Sequence, residues 1–153
     1  MIKIMFVCYG NICRSPMAEF LMKKMVEDLG EENKFFIESS ATSSEEIGSP
    51  VYYGTAEILD RLNIDYSKKR AKKLTLSDYD KYDYFVGMDE YNRRAMQRIF
   101  NGDAKGKVSL VLDYTATPRD VSDPWYTRDF EKTYQDLVLG LNEFYKFLKT
   151  NNG

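Results

Sequence analysis

Along the chain, short unbroken apolar runs alternate with longer segments whose apolar residues recur every three or four positions. Residues 4–7 form one such run and lead straight into Cys8; FFIES at 35–39, YFVGM at 84–88 and VSLVL at 108–112 are three more. Runs of this length, rich in aromatic and β-branched residues, predict strands. After the first run, Ser15 and Pro16 read as N-cap and first helical residue, and Ala18, Leu21, Met22, Met25 and Leu29 follow at helical spacing until Gly30 stops them. A second helix is predicted over 51–62, with Ala56, Ile58, Leu59 and Leu62 on one side. A third starts at Asp89 as cap and runs to about Phe100. The last carries Phe130, Tyr134, Leu137, Val138, Leu141, Phe144, Tyr145 and Leu148, with residues 151–153 expected to fray. Thr75 followed by Asp78 predicts a further helix start.

Four apolar strands alternating with helices imply an α/β fold. The expectation is a single doubly wound domain over 1–153, a four-stranded parallel sheet with helices on both faces. The first strand should be central, because sites in such folds lie at strand C-terminal ends, where the strand order switches. Between the elements lie a Ser/Thr-rich loop at 40–50, a turn-rich connector NGDAKGK at 101–107 and a long loop at 113–127. The basic run YSKKRAKK at 66–73 reads as a solvated loop or edge, the alternative being attraction of a phosphorylated or acidic partner.

With 153 residues, 43% of them apolar and 30% charged, the chain has ordinary globular composition. Its net charge of −2 gives no reason to expect nucleic acid or an anionic membrane as partner. The N-terminal apolar run is too short for a signal peptide, and no stretch approaches the roughly 18 apolar residues of a spanning helix, so a cytoplasmic location is expected. There is no histidine, which excludes a Cys–His or Ser–His dyad and any His-ligated metal within the chain. The two cysteines, Cys8 and Cys13, make neither a structural zinc site nor a secreted disulfide framework, and no metal or cofactor is expected.

The chemistry concentrates between the first strand and the first helix. Cys8 and Arg14 bracket five residues, Tyr9, Gly10, Asn11, Ile12 and Cys13. In a strand-loop-helix unit of this kind, successive backbone N–H groups can turn inward as an anion cradle, supplemented by the positive end of the helix dipole. Arg14 adds a planar fork matched to phosphate oxygens. The same field favours the thiolate form of Cys8, aimed at a bound oxyanion. A cysteine ending an apolar strand is otherwise a small buried hydrophobe.

The stretch VCYGNICRSPMAE resembles the signature loop of the low-molecular-weight protein tyrosine phosphatases, at the N-terminus where that family carries it. SDPWY at 122–126 resembles the family's Asp-Pro-aromatic-aromatic segment. ATS at 41–43, KLT at 73–75 and DYFVGMDEYN at 83–92 also look like family segments in the right order, so the resemblance covers essentially the whole chain. It implies the same fold and a reaction through phosphocysteine, with tyrosine-phosphorylated proteins as substrates and phosphate or other oxyanions as inhibitors.

Thiolate attack on phosphorus needs a deprotonated nucleophile, held equatorial oxygens and a proton for the leaving oxygen. Cys8 is assigned the first role, Arg14 and the loop N–H groups the second, Asp123 the third. Pro124 biases Asp123 towards an extended backbone that presents its side chain, the alternative being simple turn chemistry. Ser15 is expected to donate a hydrogen bond to the Cys8 sulfur besides capping the helix. The resemblance further implies that Asn11 is held by Ser39 and by a histidine, a position where this chain has Lys69. Trp125 and Tyr126 are expected to wall a slot for a flat ring, with Tyr9 opposite and Glu45-Glu46 making that side acidic; a core role for Trp125 is the alternative.

Rival functions remain in view. An arsenate reductase on the same fold would need distal cysteines, which are absent. The protein-arginine phosphatase branch carries Thr where Ile12 stands. A phosphate-binding module would not need Asp123, nor a phosphocarrier Arg14.

Overall fold

The computed structural model describes residues 1–152. Strands β1 (Ile2–Cys8), β2 (Phe35–Ala41), β3 (Tyr84–Gly87) and β4 (Val108–Leu110) form one sheet in the order β2-β1-β3-β4, every pair parallel. β1 is central as expected. From its residue Ile4 to Cys8 it is buried on both faces, which explains why its sequence is a continuous apolar run rather than an alternation. Ile4, Phe6 and Cys8 face a core built with Met17, Met22, Leu141 and Phe144, from helices α1 (Arg14–Asp28) and α5 (Phe130–Asn152). Met5 and Val7 face the opposite core with Phe85, Met96 and Phe100, beneath α3 (Glu90–Ile99). Each such fully buried side chain contributes about 1.5–3 kcal/mol of transfer free energy. α2 (Tyr53–Arg61) packs against α1 and α5.

Glycine is required where α3 crosses β3: a Cβ on Gly87 would lie 2.9 Å from both Asn92 Cβ and Met96 Cε. Gly30 ends α1 as expected, in the left-handed region at φ +70°. Asp89 caps α3, its carboxylate accepting the Asn92 N–H at 2.8 Å.

Several boundaries differ from expectation. α1 begins at Arg14 with Cys13 at the cap position, and Ser15 is not the N-cap; its hydroxyl is engaged inside the site. Leu29, placed on the apolar face by spacing, is 54% exposed. β2 runs on to Ala41, and α2 starts only at Tyr53. β4 stops at Leu110, whose N–H is taken by the Asp113 carboxylate, and a 3₁₀ turn over Val111–Tyr114 replaces the last strand residues. Thr75 and Asp78 do form a capping box, but over a single 3₁₀ turn, Leu76–Asp78. The 113–127 loop contains a short helix, α4 (Pro124–Thr127). Residues 151 and 152 continue α5, and residue 153 lies outside the described residues. No helix among the described residues is long and apolar enough to cross a membrane.

Candidate active site

β1 has β2 on one side and β3 on the other, so the crevice beyond its C-terminal end is the switch point of the sheet. Cys8 ends the strand there. The loop that follows turns its carbonyls outward and fastens them: Cys8 O accepts from Thr42 N, Tyr9 O from Ser43 N, Ile12 O from Tyr52 N and Cys13 O from Thr55 Oγ1, all at 2.9–3.0 Å. Among the described residues, the N–H groups of Gly10, Ile12, Cys13 and Arg14 find no protein acceptor. With carbonyls tied outside and amides free inside, the loop is a ring of donors at a helix N-terminus, the form of an anion cradle.

Asn11 makes this turn possible. It sits at φ +60°, which asparagine tolerates better than most residues. Its buried amide donates to Ser15 Oγ (2.8 Å) and Ser39 Oγ (2.9 Å), while its Oδ1 accepts from Lys72 N (3.1 Å). Ser39 Oγ in turn donates to Glu19 Oε1 at 2.5 Å. Lys69 donates to the Ser39 carbonyl (2.8 Å) and lies 3.7 Å from Glu19, without reaching the Ser39 hydroxyl. Burial pulls the Lys69 ammonium below its ordinary pKa, with Glu19 opposing. Thus the basic run is only partly a solvated loop: Lys68 and Arg70 are exposed, whereas Lys69 and the Lys72 backbone brace the cradle.

Cys8 Sγ lies 3.0 Å from Ser15 Oγ and accepts from Asn11 N at 3.3 Å. The Arg14 guanidinium is almost wholly buried. Nη2 donates to Asp89 Oδ2 (2.8 Å) and lies 3.4 Å from Asp123 Oδ2, and Nη1 donates to Val121 O (3.1 Å). Burial works against its charge, but Cys8, Asp123 and Asp89 outweigh it and raise its pKa further. Asp123 is extended (φ −92°, ψ 108°), as the following proline dictates. It also caps α4 through Oδ1, which accepts from Trp125 N at 3.0 Å, so the turn role and the presentation of a carboxylate coexist. The segment before it is held from α5: Asp136 accepts from Arg119 (2.7 and 3.1 Å) and Ser122 N (3.0 Å) and pairs with Lys132 at 3.0 Å. Burial pushes the Asp136 carboxyl up, and these donors more than reverse it, to about 2.

A pocket of about 370 Å³ opens over Cys8. Its floor is Cys8, Cys13 and Arg14; its walls are Tyr9, Gly10, Ile12, Glu45 and Glu46 on one side and Asp123, Trp125 and Tyr126 on the other. Trp125 is 48% exposed and belongs to the wall rather than to the core. Tyr9 donates to Glu45 at 2.7 Å. Burial, then the charges of Cys8 and Asp123, push the Cys13 thiol up to about 12. Asn11, Ser15 and Ser39 lie behind the pocket, buried. Among the described residues no cluster of three or more His, Cys, Asp or Glu side chains is placed to hold a metal.

Three residues here escape sequence reasoning. The sequence marks Asp89 only as a helix cap, yet its second oxygen holds Arg14. Glu19 carries one signal, a carboxylate beside the apolar stripe of Ala18 and Met22. Asp136 has none that could be recognised without the fold.

The sequence matches the family described as low molecular weight phosphotyrosine protein phosphatase over residues 3–152. The chain belongs to this family. Among its relatives within the phosphatase family, it is 34% identical over 145 residues to the low molecular weight protein-tyrosine-phosphatase YfkJ of Bacillus subtilis, covering 94% of this chain and 93% of that protein. It is 37% identical over 140 residues to the human low molecular weight phosphotyrosine protein phosphatase, covering 88% of each. The crystal structure of YfkJ superposes with a TM-score of 0.96 at 32% identity, over 100% of this chain and 98% of that one. A protein tyrosine phosphatase from Entamoeba histolytica, solved with Hepes in its active site, superposes at 0.90 with 25% identity over the whole of both chains.

Proposed function

We propose that the protein hydrolyses phosphotyrosine in proteins through a phosphocysteine intermediate. The observation that carries this reading is the convergence of Cys8, Arg14 and Asp123, from three separated stretches of chain, on one pocket with inward free amides. In the first step the Cys8 thiolate attacks phosphorus and the bond to the tyrosine oxygen breaks. Asp123, entering as the carboxylic acid, gives its proton to that oxygen. Arg14 and the loop N–H groups hold the three equatorial oxygens as their charge redistributes. In the second step water attacks phosphorus, the Asp123 carboxylate takes its proton, the S–P bond breaks and inorganic phosphate leaves. Ser15, 3.0 Å from the sulfur, donates a hydrogen bond to the departing thiolate.

The walls support the substrate class. A phosphoserine is too short to bring phosphorus to Cys8 past Trp125 and Tyr126, whereas a tyrosine ring spans the slot and stacks on them, adding about 0.5–1.5 kcal/mol beyond buried area. Ile12 offers an apolar contact to that ring and no partner for the N–H groups of a phosphoarginine. Oxyanions should compete for the cradle, in keeping with the Hepes, a sulfonate, in the Entamoeba site. A reducing compartment such as the cytoplasm suits a mechanism that needs Cys8 as a free thiol.

The test compares phosphotyrosine, phosphoserine and phosphoarginine peptides, with Cys8→Ser as control. Turnover should be greatest on phosphotyrosine, well behind on phosphoarginine and near background on phosphoserine. Cys8→Ser should abolish it while vanadate still binds. Comparable kcat/KM for phosphoserine and phosphotyrosine, or retained turnover in the variant, would sink the proposal.

A further inference from the structure

Four non-glycine residues have positive φ: Asn11, Asn63, Asn101 and Arg128. Asparagine is a usual occupant of that region; arginine is not. Arg128, at φ +59°, ends α4, its N–H donating to Pro124 O at 2.9 Å. Such a conformation persists where the surroundings over-determine it, and here they do so through the side chain. Arg128 Nη2 donates to the hydroxyls of Tyr52 (2.7 Å) and Tyr53 (3.2 Å). The guanidinium also lies over the rings of Tyr52 (5.5 Å) and Trp125 (5.8 Å). Among the described residues it pairs with no carboxylate.

Tyr52 reaches both halves of the site. Its N–H is the one that fastens Ile12 O in the cradle, and its ring lies 5.2 Å from Trp125 and 5.8 Å, stacked, from Phe130. A helix of four residues does not hold itself together, so the place of α4 is set by what grips its ends. One end is gripped by Asp123 as cap, the other by Arg128.

We propose that Arg128 is a positioning residue for the proton donor, clamping α4, and through it Asp123, to the tyrosine pair that supports the phosphate-binding loop. Arg128 touches no reacting atom. Its fork fixes the far end of α4, so that the carboxylate at the near end stays over the leaving oxygen. This rests on reading Asp123 as that donor.

The test is Arg128→Gly, which removes the clamp and relieves the backbone at the same time. Two substrates are compared: a phosphotyrosine peptide, whose leaving oxygen needs a proton, and a dinitrophenyl phosphate, whose leaving oxygen does not. Displacements of about 1 Å in a reacting group cost up to about 100-fold; for a loosened clamp we expect kcat/KM, which reports the steps up to loss of the leaving group, to fall about tenfold on the peptide and by less than about twofold on the activated ester. The thermal midpoint should fall only slightly, because relief of strain at φ +59° offsets part of the lost side-chain contacts. The ratio of the two losses decides: threefold or more supports the clamp, less overturns it. Arg128→Lys, keeping charge without the fork, should fall between. Should the glycine variant fail to fold, Tyr52→Phe removes one acceptor, leaves the backbone intact and is judged by the same ratio. If Asp123→Ala itself leaves the two substrates equally affected, the donor assignment fails, a result distinct from failure of the clamp.

Discussion

Asp136→Asn measures what holds the acid-bearing segment in place. The carboxylate is 2% exposed and accepts from Arg119, Ser122 N and Lys132. Together they bring it from an ordinary 3.8 to about 2. A carboxyl whose pKa is depressed on folding contributes stability above its unfolded value and loses it as pH falls through the folded one. The gap corresponds to about 2 kcal/mol at pH 7 and about 1 kcal/mol at pH 3. Arg119 and Lys132 are 43% and 48% exposed, and screening by solvent makes these values ceilings. Asparagine removes this charge-dependent part. Its amide also turns one donor towards other donors, which adds a loss that does not vary with pH. Urea unfolding of parent and variant at pH 7, 4 and 3 should therefore show a gap of about 2 kcal/mol or more at pH 7 that narrows by about 1 kcal/mol at pH 3. Near neutrality the thermal midpoint should fall by about 5–10 °C. A gap that stays constant across this range would refute the reasoning, because the carboxylate would then act through shape and not through charge.

Asp123→Ala should lower kcat/KM on phosphotyrosine peptides by about 10²–10⁴ and spare kcat/KM on activated aryl phosphates; steady-state kinetics on both would show a structural role if the losses were equal. Peroxide should attack Cys8 first, since Cys13, with its pKa pushed up to about 12, stays a neutral thiol. Cys13 should then close on the resulting sulfenic acid, expelling water and forming a disulfide that thiol can reduce. Cys13→Ser should recover less activity than the parent after peroxide and thiol, and equal recovery would remove the protective role.

The alternation of apolar runs and helical spacing was enough to predict the parallel sheet with β1 at its centre, because burial on both faces leaves an unmistakable continuous run. Cys8, Arg14 and Asp123, the three side chains that the structure brings to one pocket, were legible as candidates because each sits in a local pattern: Cys8 and Arg14 at fixed spacing, Asp123 before a proline and two aromatics. Asp89, Glu19, Asp136 and Arg128 act instead on partners brought close by folding, as Asp89 acts on Arg14 from 75 positions away. A single charged residue has no period, so beyond the capping position of Asp89 and the place of Glu19 beside an apolar stripe, little in the chain separates these residues from solvated neighbours. Ser15 departs from the cap position for a related reason. Local rules put a serine before a proline at a helix cap, and the competing pull of Cys8 and Asn11 exists only once the loop has closed.

The lack of histidine reaches beyond the exclusion of particular dyads. Where a carboxyl departs from its ordinary value, at Glu31, Glu38, Asp65, Asp103 and Asp136, it moves downward, and where a tyrosine does, at Tyr9, Tyr66, Tyr79, Tyr82, Tyr114 and Tyr145, it moves upward. Both movements lead away from neutrality, where imidazole would ordinarily titrate. Apart from Lys69, whose ammonium burial moves the other way, the scaffold is thereby a quiet background for proton counting. Calorimetry of vanadate binding in buffers of different ionisation enthalpy would register protons exchanged at the cradle itself, with no imidazole elsewhere in the chain to contribute to the signal.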